Sequence, residues 1–213
     1  HRDLHSFPTR RSSDLFDNDG DPDLFTCNYT SPSILWRNDG LCQFTQMANG
    51  LPSSGTTFSA AWADFDNDGD LDIALSRFRD MNSPTLFRNN GIDDFALVTT
   101  LAGVSPCWTD YDNNGHADLL LAATHKGSQV RPGLYHNNGD GTFATVSDIF
   151  VTDYWSNPAW GDYDNDGFMD VVICHQQGAN RLYRNLGDSN HWLKFQLVGT
   201  TSNRDAIGAK IRL

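Results

Sequence analysis

The chain has 213 residues and sets 15 Lys plus Arg against 27 acidic residues, a formal net charge of -12. Every one of those acidic residues is Asp, and Glu is absent. Asp is the short carboxylate of turns and tight metal loops and a poor helix former, so this inventory points to acidic loops rather than to a mixed solvated surface. No basic stripe meets phosphates, which excludes nucleic acid as a partner, and no apolar run is long enough to be a transmembrane segment. Gly (18), Pro (8) and 12% aromatics separate short apolar runs, the pattern of an all-β chain.

In chain order, residues 1–15 (HRDLHSFPTRRSSDL) show neither the acidic bias nor the periodicity of the rest of the chain. They resemble translated sequencing adapter and are set aside as foreign or disordered. From Phe16 onward a repeat is legible. Phe16-Asp-Asn-Asp-Gly-Asp-Pro-Asp23, Asp64-Phe-Asp-Asn-Asp-Gly-Asp-Leu-Asp72, Asp110-Tyr-Asp-Asn-Asn-Gly-His-Ala-Asp118 and Asp162-Tyr-Asp-Asn-Asp-Gly-Phe-Met-Asp170 align without gaps. Their reference residues Asp17, Asp66, Asp112 and Asp164 stand 49, 46 and 52 residues apart.

A second element keeps step: Leu35-Trp-Arg-Asn-Asp-Gly40, Leu86-Phe-Arg-Asn-Asn-Gly91, Leu134-Tyr-His-Asn-Asn-Gly139 and Leu182-Tyr-Arg-Asn-Leu-Gly187. The Asn-x-Gly endings read as tight turns, because Asn and Gly tolerate positive φ. Trp62, Trp108 and Trp160 each stand two residues before an acidic loop and are assigned to packing between units. In the second unit, Ser59 to Ala63 enters the Asp loop, Leu71 to Ser76 leaves it, Thr85 to Arg88 enters the Asn-Gly turn and Phe95 to Thr99 leaves that. Four strands repeated every ~40–50 residues are the signature of β-propeller blades. The expected blades cover about 16–58, 59–104, 105–156 and 157–189, with residues 190–213 holding a last strand and the start of another domain.

Each loop offers side-chain oxygens at positions 1, 3, 5 and 9 and Gly at position 6. A hard cation such as Ca²⁺ takes ~6–8 oxygens, and alternate residues of a tight loop point inward. The candidate ligands are Asp17, Asp19 and Asp23; Asp64, Asp66, Asp68 and Asp72; Asp110, Asp112, Asn114 and Asp118; and Asp162, Asp164, Asp166 and Asp170. The backbone carbonyls of Asp21, Asp70, His116 and Phe168 would complete them, which leaves the position-7 side chains without a role. An EF-hand is excluded, because position 12 is Leu75, Leu121 or Ile173 where a bidentate Glu is needed. Mg²⁺ keeps its waters, and neither His nor Cys recurs in the loops to favour a transition metal. Three to four Ca²⁺ sites are expected. Leu15 stands where the first loop should have its first Asp, and Asn114 lowers the charge of the third. At free calcium ten times Kd, each occupied site would add about 1.4 kcal/mol to stability.

These loops resemble the FG-GAP or VCBS-type repeats of integrin-α-like propellers. Asn190-His-Trp-Leu193, Leu197-Val-Gly199 and Ser202-Asn-Arg-Asp-Ala-Ile-Gly-Ala209 resemble the opening of an ASPIC/UnbV-type domain, as in proteins similar to cartilage acidic protein and bacterial exported relatives. The resemblance implies a calcium-binding extracellular binding, adhesion or scaffold module, located outside the cell, on its surface or in the periplasm, with an unknown protein or glycan ligand. Both ends read as cut, and no export signal is present. The strand His191 to Val198 would complete the fourth blade or begin the next domain.

Cys27, Cys42, Cys107 and Cys174 form no CxxC pair and are read as small buried residues. The rival class is an enzyme, the propeller portion of a lyase-like polysaccharide-active protein. His125, Lys126, His136 and His175 are its available acid–base groups; they match no catalytic motif, and the chain is read as non-catalytic.

Overall fold

Turn chemistry at fixed intervals leaves only short stretches of chain between loops, and those stretches pair with their sequence neighbours. The computed structural model describes residues 16–28, 31–41, 43–47, 51, 57–77, 85–91, 94–122, 133–146, 150 and 154–190. Among them there is no helix. The strands form four antiparallel sheets, each in simple up-and-down order. The first sheet is β1 (Leu24–Thr26), β2 (Ile34–Asn38) and β3 (Phe44–Gln46). The second is β4 (Thr57–Ala63), β5 (Asp72–Arg77), β6 (Thr85–Asn89) and β7 (Phe95–Thr100). The third is β8 (Val104–Thr109), β9 (Asp118–Ala122), β10 (Gly133–Asn137) and β11 (Phe143–Val146), and the fourth is β12 (Tyr154–Gly161), β13 (Asp170–Gln177) and β14 (Arg181–Tyr183). The architecture is the all-β, four-unit blade arrangement read from the sequence. Residues 1–15 and 191–213, which include the strand expected at His191 to Val198 and most of the expected further domain, lie outside the described residues.

The sheets stack through their first strands, β4 against β8 and β8 against β12. Strand alternation then aims successive residues at opposite neighbours. On β5, Ile73 and Leu75 join Phe16, Leu35, Phe87 and Phe95 in a core toward the first sheet, while Ala74 faces the third with Phe65, Leu86, Leu119 and Leu121. On β9, Leu119 and Leu121 point back to the second sheet and Leu120 forward to Val171 and Ile173 of the fourth. With both faces covered, β9 is buried along its whole length, which is why it reads as an unbroken apolar run.

The tryptophans pack between sheets, as expected. Trp62 meets Phe25 edge to face at 6.2 Å between ring centroids, and Trp108 stacks on Phe65 at 6.2 Å and 6°. They also tie sheets by hydrogen bonds: Trp108 Nε1 donates to the Ala61 carbonyl (3.2 Å) and Trp160 Nε1 to the Cys107 carbonyl (3.4 Å).

The Asn-x-Gly elements turn the chain as expected, with Gly40, Gly91 and Gly139 at positive φ. Asn38, Asn89 and Asn137 are also the last residues of strands, paired with Phe44, Phe95 and Phe143 across five-residue loops. Their side chains are needed elsewhere. Asn137 Nδ2 donates to the Ala117 carbonyl (3.0 Å) and, across the sheet boundary, to the Phe65 carbonyl (2.7 Å), while its Oδ1 accepts from Gly139 N–H (3.0 Å). Asn89 repeats this toward Leu71, Phe16 and Gly91, and Asn185 toward Met169, Tyr111 and Gly187.

The cysteine reading needs correction. Cys27 and Cys174 are exposed free thiols and Cys107 is half-buried, while Cys42 lies outside the described residues. Cys174 shares the face of β13 opposite Val171 and Ile173, and no described sheet covers that face.

Replacing Asn137 by Ala would strand the buried Phe65 carbonyl and take a partner from the Ala117 carbonyl and the Gly139 N–H, so Asn137→Ala should cost about 3 kcal/mol. The exposed Asn90→Ala should stay within about 0.5 kcal/mol. Urea midpoints of the two variants check this.

Candidate metal centre

The first acidic loop leads into β1, each of the other three joins the first strand of a sheet to the second, and all four fold by the same cascade. The position-3 carboxylate accepts the position-5 N–H: Asp17 from Asp19 (3.2 Å), Asp66 from Asp68 (3.3 Å), Asp112 from Asn114 (3.2 Å) and Asp164 from Asp166 (3.3 Å). The position-5 side chain accepts the position-7 N–H: Asp19 from Asp21 (2.8 Å), Asp68 from Asp70 (2.9 Å), Asn114 from His116 (2.7 Å) and Asp166 from Phe168 (3.0 Å). The position-1 carboxylates of Asp64, Asp110 and Asp162 accept the N–H of Gly69, Gly115 and Gly167 at 2.8–3.1 Å. These bonds coil the loop around its own carboxylates and explain the preference for Asp, whose short stem reaches an N–H two residues on. The position-4 residues Asn18, Asn67, Asn113 and Asn165 sit at φ 58–61, the left-handed region that Asn accepts most readily after Gly.

Position 9 has the heaviest duty. Asp23, Asp72, Asp118 and Asp170 are almost fully buried. One oxygen of each accepts the N–H of the position-2 aromatic: Phe16 (3.0 Å), Phe65 (3.0 Å), Tyr111 (3.1 Å) and Tyr163 (3.1 Å). The other accepts the N–H of Asn38, Asn89, Asn137 or Asn185 at 2.7–2.8 Å. Burial pushes Asp23 up to about 6 and Asp72 and Asp118 up to about 8, even though these amides pull the other way.

The structure brings together Asp64, Asp66 and Asp72 in the second loop and Asp162, Asp164 and Asp170 in the fourth, with one oxygen of each within 4.8 Å of the others. In the third loop the gathered set is Asp112, Asp118 and His136. Among the described residues the first loop gathers no such triad, and its position 1 is Leu15 where the other loops carry Asp. Asp110 and the position-5 residues Asp19, Asp68 and Asp166 stand outside the triads.

The donor set fits a hard divalent cation. All its ligand atoms in the second and fourth loops are carboxylate oxygens, and Asp64 Oδ1 is enclosed and makes no hydrogen bond. An anionic oxygen so placed costs free energy unless a positive charge meets it. In the fourth loop Arg184 meets part of that need, with Nε 2.6 Å from Asp164 and Nη2 3.2 Å from Asp166.

The position-7 side chains are not idle, contrary to expectation. His116 and Phe168 lie flat over Gly139 and Gly187, where a Cβ would come within 2.6 Å and 2.5 Å of ring atoms. The loops also touch one another. Asn18 Nδ2 donates to the Gly69 carbonyl (3.2 Å) and Asp70 Oδ1 (2.6 Å), Asn67 Nδ2 to the Gly115 carbonyl (3.0 Å), and Asn113 Nδ2 to the Gly167 carbonyl (3.1 Å). Sequence reasoning missed this Asn row, although its signal, an Asn at position 4 of every loop, stood in the alignment of repeats.

Of the acid–base candidates, His136 lies on β10 of the third sheet; His175 lies on β13 of the fourth, buried, with neither ring nitrogen hydrogen-bonded. His125 and Lys126 lie outside the described residues. A groove of about 540 Å³ runs between the second and third sheets, lined by Asp66, Arg88, Leu97 and Asp140 among others.

Fold and loops together define a blade-repeat protein whose units are closed by acidic turns. The sequence pattern of the FG-GAP-like repeat matches residues 16–75 and 110–173, more than half of the chain, and the chain belongs to that family. Among solved structures it is similar to an Agrocybe aegerita lectin that recognises non-reducing terminal N-acetylglucosamine (22% identity, TM-score 0.49, 78% of this chain and 46% of that one). It is also similar to the Photorhabdus luminescens Tc holotoxin pore (16% identity, TM-score 0.46, 78% of this chain and 8% of that one). The chain thus spans less than half the length of either. No curated protein matches it.

The raised carboxylates set a pH dependence. In the folded state without metal, Asp72 and Asp118 hold protons up to about 8 that the unfolded chain releases near ~4. The stability they contribute is therefore complete below that lower value and is lost as pH rises through about 8. With a chelator present, Tm should fall as pH is raised from 5 to 8.5; with millimolar Ca²⁺ the fall should be much smaller. Differential scanning calorimetry at both conditions decides this.

Proposed function

We propose that this chain is a calcium-stabilised propeller portion that acts as a binding, adhesion or scaffold module outside the cytosol. The observation that carries the proposal is the repeated triad: three carboxylates of one loop, all but Asp164 buried or half-buried, each with an oxygen within 4.8 Å of its fellows. Asp64, Asp66 and Asp72 and Asp162, Asp164 and Asp170 would hold the ion in the second and fourth loops, with Asp68, Asp166 and the carbonyls of Asp70 and Phe168 filling out the shell. Asp17, Asp19, Asp23 and the Asp21 carbonyl would serve the first, less complete, loop, whereas the third, with Asp110, Asp112, Asn114, Asp118 and the His116 carbonyl, brings a histidine to its carboxylates. The ion supplies positive charge and no chemistry; the residues around it order the loop face. Extracellular modules bind calcium at ~10⁻⁴–10⁻³ M, which suits a site without the full charge of a cytosolic buffer. A chain built this way meets protein or glycan ligands on its loop surfaces, and fold alone does not name which. The 190–213 stretch would open an ASPIC/UnbV-like domain. The lyase-like alternative gains no support from the separate positions of His136 and His175.

Removal of calcium with EGTA at pH 7.5 should lower Tm by well over 5 °C. Asp66→Ala and Asp164→Ala should each remove part of that difference and lower the calcium stoichiometry by one. A Tm indifferent to chelator and calcium contradicts the reading. Glycan and matrix-protein arrays with and without calcium then test the binding role, set beside turnover of acidic polysaccharides for the enzyme alternative.

A further inference from the structure

The residue just before the buried asparagine is Arg37, Arg88 and Arg184 in the first, second and fourth sheets, and His136 in the third. That exchange changes the chemistry of the third loop. His136 Nδ1 lies 3.2 Å from Asp112 Oδ2 and 3.3 Å from Asp118 Oδ1. The nitrogen is enclosed, yet it makes no hydrogen bond to either oxygen. A simple His–carboxylate pair would aim Nδ1 at one acceptor. Here Nδ1 stands between two carboxylates, and all three ligand atoms lie within 4.8 Å of one another, a spacing that suits the shell of an ion. Donors held at ~2.0–2.2 Å from one cation stand about 3.0–3.5 Å apart, which the two distances meet. Asp118 is held by two backbone amides, from Tyr111 and Asn137, and the His136 ring is set edge to face against Tyr111 at 6.1 Å and 78°. Two of the three ligands are thus positioned in advance.

Asn114 removes one negative charge from this loop at the same time. A nitrogen donor with fewer carboxylates favours a borderline-soft divalent ion over calcium. We propose that Asp112, Asp118 and His136 form a mixed nitrogen–oxygen site that binds a first-row transition divalent cation, of the Zn²⁺ or Co²⁺ kind, while the second and fourth loops take calcium. The inference rests on the reading of the acidic loops as metal sites and assigns the third loop a different ion.

The test uses the whole chain, saturated with calcium and titrated with Co²⁺. One equivalent should bind without displacement by ten-millimolar calcium and should produce a hyperfine-shifted imidazole resonance in the proton NMR spectrum. His136→Asn and His136→Arg should both lose that resonance and weaken Co²⁺ binding by at least tenfold, with calcium stoichiometry at the other loops unchanged. The arginine variant carries the residue of the other three sheets, so a folding defect is not at issue. Co²⁺ displaced by calcium in wild type, or a resonance that survives both variants, overturns the proposal. Calcium failing to bind anywhere while the imidazole resonance forms would uphold this site and sink the calcium reading.

Discussion

A buried aspartate with each oxygen held by a backbone amide is the contact on which this structure turns. In every unit the ninth loop residue accepts one N–H from the start of its own loop and one from the asparagine at or just past the end of the strand that leads to the Gly turn. The same asparagine reaches the carbonyl of the preceding loop. Loop closure, strand pairing and sheet-to-sheet docking therefore share atoms and cannot fail separately. The apolar cores between sheets supply most of the burial and fix which face of each strand points to which neighbour; the Asp–Asn pair adds a polar anchor to that register.

That arrangement carries an electrostatic cost. The amides satisfy the lone pairs of Asp72 and Asp118, yet the charge remains in a dry setting, and burial dominates the rise of both groups to about 8. The other carboxylates of each loop, Asp66 and Asp68 beside Asp72 and Asp110 and Asp112 beside Asp118, add repulsion. The fourth loop answers with the positive charge at hand, Arg184 against Asp164 and Asp166. A divalent ion answers the same need more fully, and the fit of the oxygen triads makes the metal a continuation of the fold's own chemistry.

Much of this was legible in the sequence because periodicity is. Four aligned loops, the strands around them and the tryptophans between sheets could be read from spacing and residue type alone. What could not be read was long-range partnership. Asn89 and Asn137 read as turn residues because Asn-Asn-Gly is turn chemistry, but that signal did not show that their side chains lie buried and reach across to Phe16 and Phe65. Position 9 looked like one ligand among four and proved to be the anchor. His136 looked like an isolated ring, since its partners lie 24 and 18 residues earlier, and only the pairing of β9 with β10 brings it to the loop. The cysteines misled for another reason: small apolar residues are usually buried, but Cys174 falls on a face that no described sheet covers.

Native-state hydrogen exchange at Phe65, Tyr111, Asn89 and Asn137 probes the central contact without altering it. With calcium these four amides should exchange only through global unfolding, at one common free energy, although two of them sit in loops. Withdrawal of the metal should lower that free energy for all four together. Exchange at ordinary loop rates, or four unrelated protection levels, would contradict the shared network.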